Sequence, residues 1–163
     1  MWRRACMRPL RCIALCALAA LGLSCSKKSL DPPPGPLEAP VHFVLSDGQI
    51  TVRDKKIYVA SVRYRCSEGR PLAGHWYRCD LTVIRNRSNI AGIVGDYDGA
   101  TFPVEGVISK ELNVGSSRPF QPGETIEFRF LMLETALADN GRRVPLGPSA
   151  LSQPLVGTTQ VPK

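Results

Sequence analysis

The chain is predicted to fold as an all-β protein, an antiparallel β-sandwich, on three observations. Apolar and polar residues alternate with period two over residues 57–66, 76–85 and 126–132, turn signals separate the alternating segments, and no helical periodicity follows the first 25 residues. Period two is the spacing of side chains on one face of a strand, so the alternation describes sheets with one face buried. About eight short strands in roughly 105 residues suit two packed sheets.

The first segment stands outside that fold. Arg3, Arg4, Arg8 and Arg11 precede an apolar run over residues 12–23, too short for the roughly 20 residues that a membrane-spanning helix needs. Residues 1–24 are therefore read as a cleavable export signal. Ser24-Cys25 resembles the processing site of bacterial lipoproteins, where a small residue precedes an acylated cysteine, although Gly22 stands where that pattern usually has Leu. The resemblance implies lipidation of Cys25, with palmitate among the acyl chains, and a membrane-anchored place in the cell envelope. Ser26 resembles the residue that directs such proteins to the outer membrane, Asp being the inner-membrane signal. The alternative is an ordinary secretory signal that leaves Cys25 as a free or bridged thiol.

Residues 25–40 form the expected lipid-anchored tether. The stretch SKKSLDPPPGPLEAP carries five prolines and too few apolar residues to bury a face. At ~3 Å per residue, a polyproline-like spacer of this length reaches roughly 45 Å. The sandwich itself is assigned to residues 41–145.

Its elements follow in order. Residues 41–45 and 49–53 are expected to form a short hairpin about Ser46-Asp47-Gly48. In the next strand Tyr58, Ala60, Val62, Tyr64 and Cys66 share one face, with Ser61, Arg63 and Arg65 on the other. After it, Tyr77, Cys79, Leu81 and Val83 oppose Arg78, Asp80 and Thr82. Residues 86–89 read as a polar turn, 90–97 as a strand interrupted by Gly92 and Gly95, and Asp98-Gly99 as a turn. Two further strands are expected at 101–109 and 111–114, Pro103 confining the first to an edge or bulge. Pro122-Gly123 then leads into an inward stripe of Ile126, Phe128, Phe130 and Met132. Beyond Asn140-Gly141 the chain is rich in proline, so residues 146–163 are expected to be mostly irregular, with room for one docking strand.

The two clearest strands suggest a register. If Cys66 lies opposite Cys79 in an antiparallel hairpin, Tyr64 meets Leu81 and Val62 meets Val83 on the inner side, while Arg65 meets Asp80 outside. One pairing satisfies all four contacts, and a slip of one residue would turn the apolar set outward. Cys6, Cys12 and Cys16 leave with the signal and Cys25 takes lipid, so Cys66 and Cys79 remain as an even pair in an exported chain. A disulfide between them is the expectation, stabilising by roughly 3 kcal/mol in the chain-entropy picture.

Charge excludes one class of partner. The whole chain is +7, but residues 25–163 carry 17 Lys and Arg against 14 Asp and Glu, an excess of only three. Their interleaving with apolar residues describes solvated strand faces, and no basic and aromatic stripe argues for nucleic acid.

Residues 81–86 (LTVIRN), 96–99 (DYDG), 121–124 (QPGE) and 128–130 (FRF) resemble small immunoglobulin-like envelope modules of the FxLYD type. There a strand ending in Asn leads to a Tyr-Asp-Gly turn, and a Pro-Gly-Glu turn precedes an alternating strand. The resemblance implies an Ig-like sandwich that binds or interacts and brings no catalytic residue.

Few side chains converge on chemistry. Cys66, His75 and Cys79 alone combine metal-capable groups, giving an alternative reading as a small extracytoplasmic metal-handling protein, but their spacing matches no zinc knuckle. Asp96, Asp98 and Glu105 supply part of a calcium loop without its remaining oxygens, and Asp-Gly is an ordinary turn. No nucleophile has a histidine-bearing signature around it, so no enzyme and no cofactor is expected. Asn86-Arg87-Ser88 matches a glycosylation sequon that a bacterial chain would leave unused. The leading expectation is a lipid-anchored, non-catalytic envelope module that binds an envelope component. Its candidate contact is the 67–75 loop and its base, with Arg70, His75, Trp76 and Tyr77 as cationic and aromatic anchors; Trp76 is equally readable as a cover for the sandwich end.

Overall fold

The computed structural model describes residues 40–85, 88–115 and 118–163, with backbone alone for 147–149. Cys25, the segment 1–24 and nearly all of the tether lie outside the described residues, as do Asn86 and Arg87 of the 86–89 turn. The strands are β1 (His42–Val52), β2 (Ile57–Glu68), β3 (Trp76–Arg85), β4 (Ser88–Asp98), β5 (Glu105–Asn113), β6 (Thr125–Leu137), β7 (Arg143–Ala150) and β8 (Leu155–Gln160). One sheet has the order β1-β2-β5; the other has β4-β3-β6-β7, with β8 also on β6. All these pairings are antiparallel, and the two sheets bury their apolar faces against each other in one core. The all-β sandwich read from the periodicity is therefore the architecture.

The inward stripes are those the alternation marks. Tyr58, Ala60, Val62 and Tyr64 of β2, Tyr77, Cys79, Leu81 and Val83 of β3, and Ile126, Phe128, Phe130 and Met132 of β6 are all buried. The predicted hairpin between β2 and β3 does not form. Val62 pairs with Ile108 and Tyr64 with Leu45 and Gly106, whereas Leu81 pairs with Gly92 and Phe130 and Val83 with Ile90 and Phe128. β2 and β3 lie in different sheets, facing across the core rather than side by side. Alternation fixes which side chains point inward, but an inward partner can stand beside a strand or opposite it. The connection over residues 69–75 is long enough to cross the ~10 Å between packed sheets. The disulfide inferred from the hairpin loses that basis, and Cys66 and Cys79 are free thiols in this structure.

Three further expectations are corrected. Residues 42–52 are one strand with a bulge, not a hairpin: the register shifts between Ser46 and Gln49, and Asp47 takes φ 50°. Asp is among the few side chains that accept this left-handed conformation, and Arg63 Nε donates to Asp47 Oδ2 at 3.0 Å. At Gly48 a side-chain carbon would stand 2.7 Å from Leu155 Cδ2 and 3.2 Å from the Phe130 ring of the opposing sheet, so any larger residue at the bulge tip would have to displace the Leu155 side chain for β1 to close on β8. Next, residues 105–113 form the single strand β5, and Phe102 precedes it in a loop. Finally, the tail is not irregular. It carries β8 and most of β7, and between them Leu151 ties the two sheets: its carbonyl accepts from Phe43 N (2.7 Å) and its N–H donates to Met132 O (2.8 Å).

Each end of the sandwich is closed by a different device. At the end carrying the β1–β2, β3–β4 and β5–β6 connections, Arg85 donates through Nε and Nη2 to the two Glu124 oxygens at 2.6 Å and also holds the carbonyls of Arg118 and Pro119 at 3.0 Å. These charge-assisted bonds hold the Glu124 carboxyl below its ordinary pKa. Phe120, fully buried beneath Arg85, packs edge-on against Tyr58. At the other end Phe102 plugs the gap between the sheets. Its ring stacks on Tyr64 (4.6 Å), Tyr97 (4.9 Å) and Tyr77 (6.0 Å), with Phe43 at 5.8 Å.

Removing a plug that touches four rings leaves a void that they cannot all close. Phe102→Ala is therefore expected to lower unfolding free energy by about 3–5 kcal/mol in urea titration, and a loss under about 1 kcal/mol would show that the end collapses without it.

Candidate functional site

The Phe102 end gathers the start of β1, the loop between β2 and β3, the turn after β4, the end of β6 and the start of β7. Short contacts fix the loop. His75 N donates to Leu72 O (3.1 Å), Leu72 N to Tyr77 Oη (3.2 Å), and Gly99 N to His75 O (2.8 Å). At Gly99 a side-chain carbon would stand 2.1 Å from Leu72 O, so only glycine lets the β4 turn approach this closely. His75 Nδ1 also meets Glu134 Oε1 of β6, joining the loop to the neighbouring strand.

Beside this pair lies a groove of about 340 Å³ whose walls come from β3, β6 and β7, with His75, Trp76, Glu134, Thr135, Arg143 and Leu146 among its lining. Trp76 is half-buried because it starts β3 on the outward face. The Arg143 guanidinium sits 3.1 Å from the Trp76 ring centroid, a cation–π contact, and its Nε lies 3.5 Å from Asp96 Oδ2. Behind them Arg78, only 8% exposed, is paired with Asp80 at 2.6 and 3.0 Å and reaches the Arg143 carbonyl at 3.4 Å. Charges thus run across β4, β3 and β7 beneath the indole and hold it in place. Thr135, buried and lining the groove, has a hydroxyl with no hydrogen-bond partner among the described residues. Leu137 (65% exposed) and Leu146 (48%) form an apolar rim. The arrangement offers an aromatic face, an apolar rim and one unused hydroxyl, which suits recognition of a surface or peptide.

The candidate anchors divide. His75 and Trp76 line the groove; Arg70 is exposed outside its lining; Tyr77 points inward, 1% exposed, and serves the core and the loop. Cys66, His75 and Cys79 do not assemble as a metal site: His75 is with Glu134, Cys79 is fully buried, and no group of three or more His, Cys, Asp or Glu among the described residues is placed to hold an ion. Asp98 Oδ1 accepts from Ala100 N in its turn, Asp96 faces Arg143, and Glu105 lies opposite Arg65 on the other sheet, so the three acids of the calcium reading are apart. Glu134, Thr135, Leu137, Arg143 and Leu146 escaped sequence reasoning because they lie some 60 residues beyond Trp76. The available signal was a pair of exposed leucines flanking the Asn140-Gly141 turn.

Burial pushes the Cys79 thiol up to about 12, the Asp80 carboxylate adding to it, and burial also raises Cys66. Tyr64 is pushed up to about 12, again chiefly by burial. Between pH 9 and 12 the unfolded chain releases thiol protons that the folded chain keeps, so stability falls as pH rises through that window and is flat just below it. Urea midpoints should decline above pH 9, and Cys66→Ala/Cys79→Ala should postpone the decline to about pH 10, where Tyr64 begins to contribute. Alkylation after unfolding without reductant, followed by peptide mapping, should label both cysteines; a bridged Cys66–Cys79 peptide would contradict the free-thiol structure.

Comparison with known protein families, with curated proteins and with solved structures finds no match for this chain.

Proposed function

We propose that the chain is a lipid-anchored, non-catalytic binding module of a bacterial cell envelope, tethered through Cys25, in the outer membrane, and contacting another envelope component through the Trp76 groove. The observation that carries the binding reading is the clamped, half-exposed Trp76 beside the exposed Leu137 and Leu146. Large apolar side chains held rigidly at a surface are characteristic of interaction sites, since aromatic anchors lose little conformational freedom when they bind. The anchoring reading rests on the basic stretch, short apolar run and Ser24-Cys25 junction, followed by a proline-rich spacer.

Two measurements in cells test the two halves. Radiolabelled palmitate should enter the wild-type chain and be absent from Cys25→Ala; incorporation that survives this change would contradict the anchor. A photo-crosslinking residue at position 146 should give a discrete adduct that Trp76→Ala reduces at least tenfold, while the same residue at 156, exposed on β8, gives none. Equal adducts at both positions would contradict the groove.

A further inference from the structure

Residues 40–163 hold 15 Lys and Arg against 12 Asp and Glu, and the excess has a definite place. At the end of the sandwich opposite Trp76, the β1–β2 turn, the segment before β6 and the chain after β8 are joined by backbone bonds: Phe120 N to Lys55 O (2.5 Å), Val114 N to Lys56 O (2.9 Å) and Val161 N to Glu124 O (2.8 Å). Six Lys and Arg (Arg53, Lys55, Lys56, Arg85, Arg118, Lys163) meet three acids here (Asp54, Glu111, Glu124), an excess of three, and two of the acids are taken up in ion pairs while Asp54 keeps its charge. Glu111 pairs with Arg53 at 2.9 Å, Glu124 with Arg85 at 2.6 Å, and Asp54 Oδ1 accepts from the amides of Lys56 and Ile57. Lys55, Lys56, Arg118 and Lys163 are exposed, and none of them makes an ion pair with a carboxylate among the described residues. Elsewhere in 40–163 nine Lys and Arg face nine Asp and Glu: some are paired, as in Arg63–Asp47, Arg78–Asp80 and Arg143–Asp96, and the remaining cations, among them Arg70 and Arg142, are matched in number by the remaining acids.

We infer that this basic end docks onto an anionic lipid surface, recognising the phosphates of its headgroups. Charge complementarity is the ground, and residue type selects the partner. Three of the four cations without a carboxylate partner are lysines, which protein interfaces deplete and which act as flexible point charges toward a headgroup layer; the fourth, Arg118, donates to the Asn89 carbonyl at 3.1 Å. The aromatic residues of this end, Tyr58 and Phe120, are buried, so no ring is available to stack on a nucleobase. The inference is independent of the Trp76 groove, which lies at the other end.

Attraction of this kind is worth about fivefold in partitioning for each basic residue and is screened within about 8 Å at physiological salt. The test immobilises residues 25–163 carrying Cys25→Ser, so that neither the apolar run nor an acyl chain can insert, through a tag placed ahead of residue 25, and offers fluorescent vesicles of phosphatidylcholine with or without phosphatidylglycerol. Wild type should retain the anionic vesicles in low salt and release them as salt approaches about 0.5 M. Lys55→Glu/Lys56→Glu should lower that retention at least tenfold, Arg118→Glu several-fold, and Arg142→Glu at the opposite end not at all, with unfolding midpoints of all three matching wild type. Retention unchanged in the Lys55/Lys56 variant, lost equally in the Arg142 variant, or equal for neutral vesicles would overturn the inference. So would a DNA duplex that the chain binds more tightly than the vesicles through the same two lysines.

Discussion

Neither sheet of this protein can stand in water alone, because each presents one continuous apolar face. β2 brings Tyr58, Ala60, Val62 and Tyr64 to that face, and β3 brings Tyr77, Cys79, Leu81 and Val83. These stripes bury against each other across the core, and the remaining strands complete the two sheets. β5 and β1 flank β2, β4 and β6 flank β3, and the chain crosses between the sheets after Glu68. The crossing segment then emerges at one end as an exposed loop, which places His75 and Trp76 at a surface. Closure on the β1 side falls to Leu151, hydrogen-bonded to both sheets, and to Gly48, whose missing side chain makes room for Leu155.

The two ends of the sandwich differ in chemistry because they are closed differently. Phe102 seals one with stacked rings, leaving the polar and apolar side chains around it free to build a groove on the outward face. Arg85 and Glu124 seal the other with a nearly buried charge pair, consuming the carboxylate that would otherwise balance the surrounding lysines. A buried pair of this type is retained at a desolvation cost and makes a modest net contribution to stability. It ties β3 to residues 118–124 through the Glu124 carboxylate and the Arg118 and Pro119 carbonyls, with the lysines outside it. The Trp76 groove and the basic patch thereby lie at opposite ends of the domain.

Much of this was legible from residue order, and the remainder was not for identifiable reasons. Side-chain alternation revealed β2, β3 and β6 with their inward faces because period two is a local property. It did not reveal lateral neighbours: Val62 and Val83 are both inward and match a hairpin as well as they match two facing strands. Ser46-Asp47-Gly48 has the composition of a turn, but a bulge uses the same left-handed residue and the same glycine. The proline-rich tail looked irregular, yet β7 takes Pro145 opposite Thr135 and β8 pairs along the start of β6 with only Leu155 to Gln160. Within the groove, Trp76 and His75 were visible as a loop base, whereas Arg143 and Glu134 became neighbours only through the pairing of β6 with β3 and β7.

Strand neighbours are therefore the quantity on which everything else turns, and backbone nuclear Overhauser effects read them directly. Across-strand proton contacts should join β2 to β5, at Tyr64 with Gly106 and Val62 with Ile108, and β3 to β6, at Leu81 with Phe130. Backbone contacts joining Val62 to Val83 and Tyr64 to Leu81 would instead place β2 and β3 in one sheet and contradict the facing arrangement.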